Sequence, residues 1–524
     1  MTAAPATSYD TVLYPSHPFQ QTHPARTAAV ARLHGVPAAS PAACRVLELG
    51  AGNGANLIPL AAAYPGSEFV GVDLAPTPVA RGNAAIAALG LTNARLHAAD
   101  IRAVGDELGT FDFVIAHGVF SWVPEEVRHA LLETCRRVLA PAGVAYVSYN
   151  AYPGCHIRRM FWDVVKFHTA AITDPQQKIQ QARAVLHFMA EGTTAKGVLG
   201  HYVREEAKHV AFERHEAVLY HDDLAGVNQP YYFHEFAALA GRHGLQFLAE
   251  ADFSDMENDV FPPAVADRLR QLGEMNIVLQ EQYRDFLQVR RFRQTLLVRK
   301  EAEVRRPPTP DRVRDLAAAV ETRPDESSPD LGAGVAVTFK VKSGAAVTVD
   351  HPAAKAALLA LTRRWPHPLS FPDLLREAAT LLGRAEADLS DRDRQVAAEV
   401  LLAAFEAGVL LFFADPPRTA AAPGDRPRLW PVARHQIEAG ERVLTNLLHL
   451  PVKIEDPLTR QLLWAMDGTR DRAAIVDELT AWAAAEQAKD PAAPQPSPEA
   501  LRADFVGRID DGFAKAAELA LLEG

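Results

Sequence analysis

The chain has 524 residues, is 48% hydrophobic and carries a formal net charge of −11 at pH 7, enough apolar material for several domains with their own cores. The charge is uneven, −8 from Glu301 onward and −3 before it, which argues against a nucleic-acid binder in either half, because phosphate binding needs clustered Lys and Arg. Met1 to Phe19 lacks the basic and apolar regions of a signal peptide, and no apolar run approaches the length of a membrane span. Cys44, Cys135 and Cys155 have no metal-binding or disulfide spacing. The expectation is a cytoplasmic protein with no metal and no membrane contact.

Tyr9 to Pro24 is rich in aromatic residues, Pro and His and precedes a helical pattern at Ala25 to His34. It reads either as cover for a sheet edge or as a lid over a ligand. The next stretch organises the chain. Val46, Leu47 and Leu49 form a buried strand that breaks into a loop with Gly50, Gly52 and Gly54, and a helical pattern follows from Asn56. A strand, a glycine turn and a helix in that order place a cofactor at the carboxyl end of the first strand of an α/β sheet. Strands and helices then alternate: Glu68 to Val72, ending at Asp73; a helix capped by Thr77 with Pro78 at its first position; Arg95 to Ala98, ending at Asp100; Phe111 to Ala116; a helix over Glu125 to Leu139; and Val144 to Ser148. Arg158 to Glu216 reads as amphipathic helices capping the acceptor side. Leu245 to Glu250 and Gln294 to Lys300 then close a seven-stranded sheet whose inner last strand is antiparallel.

The loop alone also satisfies the dinucleotide fingerprint, with Asp73 as a ribose carboxylate. Glu48 and Asp100 decide against that reading, because a site built for a pyrophosphate anion would not place a carboxylate two residues before Gly50, and Asp100 after the third strand is placed to accept from an adenine amine. S-adenosylmethionine is cationic and suits Glu48. In that reading Gly50, Gly52, Asn53 and Gly54 pass beneath the methionine and ribose, and Glu48 holds the cationic end. Asp73 and Leu74 take the ribose, Asp100 and Ile101 read the adenine, and His117 with Gly118 lies near the methionine portion. On the acceptor side, Tyr149, Asn150 and Tyr152 after strand five are the catalytic candidates, with Trp122 able to stack there or serve as core. Tyr231 and Tyr232, with His234 and Glu235, form a third candidate cluster. An amine acceptor such as lysine, with a pKa near ~10.4, would have to be desolvated before it attacks.

Glu301 to Leu331, rich in Arg, Pro and acidic residues, reads as a linker. Beyond it Val347 to Leu361 is repeated at Val452 to Met466, and each copy ends in a helix and a short apolar run. Two winged-helix-like α+β modules are expected, at 332–416 and 428–524, after a catalytic domain over 1–300, with Ala481 to Pro498 as an insertion in the second. The modules would recruit a polypeptide or hold a homodimer. Because the sheet is complete by Lys300, a chain ending there is expected to fold and bind cofactor, provided the modules do not cover an apolar face.

The motifs H-G-V-F-S-W-V-P at His117 to Pro124, S-Y-N-A-Y-P-G at Ser148 to Gly154, and H-D-D-L through N-Q-P-Y-Y-F-H-E-F at His221 to Phe236 resemble those of bacterial class I methyltransferases with a methyltransferase regulatory domain. Rickettsial protein-lysine methyltransferases that act on an outer-membrane protein are similar. The resemblance implies a Rossmann-like α/β sheet with helical inserts, S-adenosyl-L-methionine as cofactor, and N-methylation of lysine in a polypeptide substrate. A methyltransferase for a small molecule or a peptide natural product shares the same cofactor residues and is the alternative.

Overall fold

The apolar run at Val46 forms the centre of a sheet. β1 (Arg45–Leu49) pairs in parallel with β2 (Glu68–Asp73) on one side and β4 (Phe111–Ala116) on the other, so both its faces are covered and its sequence does not alternate. β3 (Ala94–Ala98) lies outside β2, and β5 (Leu139–Asn150) continues in parallel from β4. β7 (Phe292–Arg299) enters antiparallel between β5 and β6 (Leu245–Glu250), as expected of the inner last strand, and the order is β3-β2-β1-β4-β5-β7-β6. This computed structural model describes residues 10, 12, 14, 16–324, 328–420, 422–489 and 496–524. Tyr9, at the head of the aromatic stretch, and residues 490–495 of the Ala- and Pro-rich insertion lie outside them.

Two local expectations shift. The helix after β2 begins at Pro76 with Ala75 as its N-cap, ahead of the Thr77–Pro78 start. β5 extends to Asn150, because Tyr149 pairs with Arg293 and Asn150 with Phe292. Tyr149 and Asn150 are therefore strand residues, and their side chains point to opposite faces of the sheet.

Between β5 and β6 the chain inserts helices at Gly154–Thr169, Pro175–Gly192, Gly197–Lys208 and Phe233–Arg242, and between β6 and β7 helices at Pro263–Met275 and Ile277–Gln288. The last of these is tied to β7 by buried charge. The Arg293 guanidinium, fully buried, donates to Asp285 (2.9 and 2.8 Å), Glu250 (2.6 Å) and Glu281 (3.1 Å). Arg290 pairs with Asp285 at 3.1 Å and Arg284 with Glu281, so three guanidiniums balance three carboxylates.

The stretch 301–331 is not a linker throughout. Ala317–Ala319 form β8, antiparallel to both β12 (Leu369–Ser370) and β13 (Leu411–Phe413), with Val313, Leu316 and Val320 buried around it. Three consecutive alanines carry no alternation, and their Arg- and Pro-rich flanks conceal the strand. β9 (Thr322–Pro324), β10 (Val337–Val341) and β11 (Ala346–Val349) form the wing of this module, followed by helices Pro352–Arg364, Phe371–Leu381 and Asp391–Glu406. The second copy repeats the plan. Bridges Arg428–Asp467 and Leu429–Leu522 stand where β8 pairs with its neighbours, and β14 (Val443–Thr445) with β15 (Pro451–Lys453) makes the hairpin.

Both modules pack on the sheet domain. Val30 and Leu33 of the helix Pro24–Leu33 share one core with Leu358, Phe405 and Phe412, and Phe253 stacks on Phe405 at 5.4 Å. Ala414 N donates to Ala25 O at 2.8 Å, and the Tyr64 hydroxyl donates to Asp415 O at 3.1 Å. The proviso on truncation therefore fails, since the modules cover an apolar face. A chain cut after Lys300 should lose cooperative melting by circular dichroism and bind a hydrophobic dye strongly. A fragment that melts as sharply as the full chain would show that the apolar face does not need its cover.

Candidate active site

β1 opens directly into a turn that only glycine makes easily. Gly50 has φ +81° and a Cβ there would lie 2.3 Å from a Val119 methyl, while Gly52 has φ +54° and its N–H donates to Asp73 Oδ2 at 2.8 Å. Above this turn lies a cavity of about 1080 Å³. Glu48, Gly50, Gly52, Asn53, Asp73, Leu74, Asp100, Ile101, His117 and Gly118 line it, together with Trp122 and Asn150. Gly54 does not; it turns towards Ile58 and Leu96. Its volume exceeds the roughly 300–1,000 Å³ of a one-ligand pocket, which leaves space for a second reactant.

The charges in this cavity are unusual for a solvent-facing cleft. Glu48 is 3% exposed; Oε1 accepts from Asn56 Nδ2 at 2.9 Å, and Oε2 is buried with no partner. Burial pushes its carboxyl up to about 8, against the weaker pull of the Asn56 hydrogen bond. An orphaned carboxylate oxygen at the end of a cavity is a site waiting for a cation or a donor. Burial also raises Asp73, whose two oxygens accept from Ala75 N and Gly52 N at 2.8 Å each. Asp100 differs: Arg102 grips it at 2.6 Å and holds its carboxyl below the usual range. Desolvation pushes His117 down to about 3, so its ring is neutral. Its Nδ1 lies 2.9 Å from the Tyr146 hydroxyl, which in turn donates to Gln294 at 3.2 Å, so Nδ1 is the donor of that pair.

The N-terminal stretch closes one wall. Tyr14, Ser16, His17 and Phe19 line the cavity, and the Phe19 ring stacks on His117 at 3.7 Å. The opposite end is framed by Asn150, whose N–H donates to Ser121 Oγ (2.8 Å) and whose side chain pairs with Asn228 (3.0 Å). The segment carrying Asn228 runs beside β5, with Tyr231 N donating to Asn150 O at 3.0 Å. Arg158, Glu206, His209, Arg214 and Asp222 from the inserted helices, with Arg291 and Phe292, complete the mouth.

Four aromatic candidates lie elsewhere. Tyr149 is 1% exposed and stacks on Phe236 at 4.0 Å, on the face of the sheet away from the cavity. Tyr152 stacks on His156, Tyr231 packs against Phe120 and under Arg128, and Tyr232 hydrogen-bonds His156 at 2.9 Å. Sequence reasoning also missed Asn56, Asp222 and Glu206. Asn56 follows the glycine loop by two residues and could have been suspected. Asp222 lies in the H-D-D-L motif, which carried the resemblance but no assigned role, and Glu206 sits in a helix with no signal of facing a ligand.

Three family profiles match the chain: a methyltransferase domain over residues 46–143, a predicted methyltransferase regulatory domain over 215–299, and the PKMT C-terminal winged helix domain over 425–521. The uncharacterized protein RP789 of Rickettsia prowazekii is 30% identical over 486 residues, covering 91% of this chain and 86% of that protein, and RP028 of the same organism is 32% identical over 242 residues, 46% of this chain and 96% of that one. The structure of PKMT2 from Rickettsia typhi in complex with AdoHcy superposes with a TM-score of 0.83 at 26% identity, covering 98% of this chain and 100% of that one. The chain belongs to the bacterial class I S-adenosylmethionine-dependent methyltransferases that carry a methyltransferase regulatory domain and a PKMT-type C-terminal winged helix.

Proposed function

We propose that this enzyme methylates the side-chain amine of lysine in a polypeptide, with its cofactor held along Glu48, Gly50, Gly52, Asp73 and Asp100 and its acceptor entering past Trp122 and Asn150. The observation that carries the reading is the chemistry of the cavity's mouth, where the carboxyls of Glu206 and Asp222 stand with the rings of Tyr14, Trp122 and Phe292. Arg158 and Arg214 are taken up by Asp223 and Arg291 adds a third guanidinium, so Glu206 and Asp222 serve a cationic lysine as local hydrogen-bond acceptors, and the aromatic faces tolerate it while water is stripped away. Burial and the neighbouring Asp223 push the Asp222 carboxyl up to about 6, and Tyr14 lies 3.5 Å from it.

The cofactor supplies a methyl group on a sulfonium, and the chain's work is to position the amine in line with it and exclude water. Asn150, fixed by Ser121 and Asn228, is placed to hold the amine. Glu48 holds the cationic end of the cofactor, Asp73 its ribose hydroxyls, and Ile101 with Asp100 its adenine; Arg102 has to release or share the Asp100 carboxylate for that contact. The Asn150 face replaces Tyr149, Tyr152 and Tyr231 as the acceptor contact, since those rings stand outside the cavity.

A second copy of the chain is part of the proposal. Phe167, Phe188, Leu199 and Phe212 on the inserted helices are 88%, 75%, 63% and 61% exposed, which suits burial against another cap. Sedimentation at micromolar concentration should give a dimer, and Phe167→Glu with Phe188→Glu should give monomers; an unaltered wild-type monomer would remove this part.

Incubating the full chain with labelled S-adenosylmethionine and cell lysate should place label in protein, on lysine. Label confined to small molecules would replace the polypeptide reading by the small-molecule one. Asn150→Ala should lower kcat by about 100-fold or more with cofactor Kd within about threefold, because the lost contact is made to the reacting amine.

Glu48 makes a separate pH prediction. Its carboxyl titrates near 4.5 when unfolded and about 8 when folded, so without ligand the folded chain keeps a proton the unfolded chain has lost. Stability from this group is full below 4.5 and falls as pH rises to 8. Relative to Glu48→Gln, wild-type Tm should decline across that window, and S-adenosylhomocysteine affinity should climb as Glu48 ionises. Parallel curves for the two proteins would place the cation elsewhere.

A further inference from the structure

One buried amide beside the cofactor end of the cavity gathers donors from distant parts of the chain. Asn56 Oδ1 accepts from Phe19 N (2.9 Å) and His449 Nε2 (2.8 Å), with the Thr22 hydroxyl 3.1 Å away but closer to Phe19 O (2.8 Å), while Nδ2 donates to Glu48 Oε1 (2.9 Å). Asn56 is 5% exposed and His449 2%. A backbone N–H can only donate, so the Phe19 contact settles which end of the amide is oxygen. With the oxygen there, His449 must carry its proton on Nε2. The amide is planar, so fixing its oxygen aims its nitrogen at Glu48 and leaves Glu48 Oε2 as the carboxylate atom without a partner.

His449 comes from the second winged helix, 393 residues from Asn56. It occupies the hairpin turn between β14 and β15 with φ +62°, a conformation that a side chain with a β-carbon adopts at a cost. The turn is closed by His449 N donating to Asn446 O (3.0 Å) and Asn446 N donating to Leu450 O (3.0 Å). The imidazole stands edge-on to His23, at the start of the helix that underlies both modules. A strained turn, a buried ring and a single amide target describe a built contact.

We propose that His449 is a positioning residue for the cofactor: by locking the Asn56 amide it holds Glu48 ready for the cation, and so makes the C-terminal winged helix part of the cofactor site. This rests on the placement of the cofactor at Glu48 proposed above. The module's role then extends beyond recruiting a polypeptide, because the contact lies on the side of the site that the acceptor does not enter.

The test uses the full chain and titration calorimetry with S-adenosylhomocysteine, alongside the unliganded Tm. His449→Ala, and His449→Met as a variant that fills the space without a donor, should each weaken binding by tenfold or more. His449→Gln, which restores an N–H donor, should return to within threefold of wild type. Leu444→Ala, in the same module's core and without contact to Asn56, should lower Tm while leaving Kd within twofold. The proposal is overturned if the Ala and Met variants bind within twofold of wild type, or if Leu444→Ala loses as much affinity as they do. A wild-type chain that binds no S-adenosylhomocysteine would instead remove the cofactor placement, and the proposal with it.

Discussion

The last strand of the sheet enters against the direction of its neighbours, and a buried arginine holds it there. Arg293 sits opposite Tyr149 in the β5–β7 register and reaches Glu250 on β6 and Asp285 and Glu281 on the helix Ile277–Gln288. Phe233 lies under its guanidinium, 4.0 Å from the ring centre. Removing one partner from such a cluster typically costs about 3–5 kcal/mol, because an uncompensated charge is left in a dry interior. The consequence reaches the chemistry. β7 fixes where β5 ends, and β5 ends on Asn150. The regulatory segment is thus the scaffold for the Asn150 end of the cavity, and its helices need not line that end to fix its geometry.

Much of the sheet was legible because its central strands are buried on both faces, so β1, β2 and β4 read as apolar runs bounded by glycine or an acidic strand end. β4 and β6 match their expected limits residue for residue. The glycine loop, Glu48, Asp73 and Asp100 are local in sequence to the strand ends that carry them, so their convergence on one cavity could be read from strand order. What stayed hidden depended on pairing between distant segments. β8 is a run of alanines that becomes a strand only because β12 and β13 flank it. Tyr149 looked like a loop residue because the pairing that extends β5 is made by β7, far along the chain. The reach of the modules onto the sheet was invisible for the same reason: alanines and valines that cover a neighbouring domain look like those that fill their own.

The Trp122 and Asn150 end of the cavity shows the limit most clearly. Trp122 follows the end of β4 and Asn150 closes β5, so both were within reach of the sequence. Asp222 and Glu206 come from helices whose faces are set only once the insert folds over the sheet, and their charges alone would read as solvated surface. The same holds for Phe19, which the sequence placed in a stretch with two readings and which the fold lays flat against His117.

The two ends of the chain are interlocked: Ala414 bonds Ala25, Tyr64 bonds Asp415, and His449 reaches Asn56 across 393 residues. On the ribosome, the glycine loop and Asn56 emerge 393 residues before the imidazole that completes their hydrogen-bond set. A chain interrupted between β7 and His449 therefore carries every strand of the methyltransferase sheet while its Asn56 lacks the His449 donor. The pocket's hydrogen-bond set closes only after the second winged helix has been made and folded back, which ties the state of the site to the order of translation.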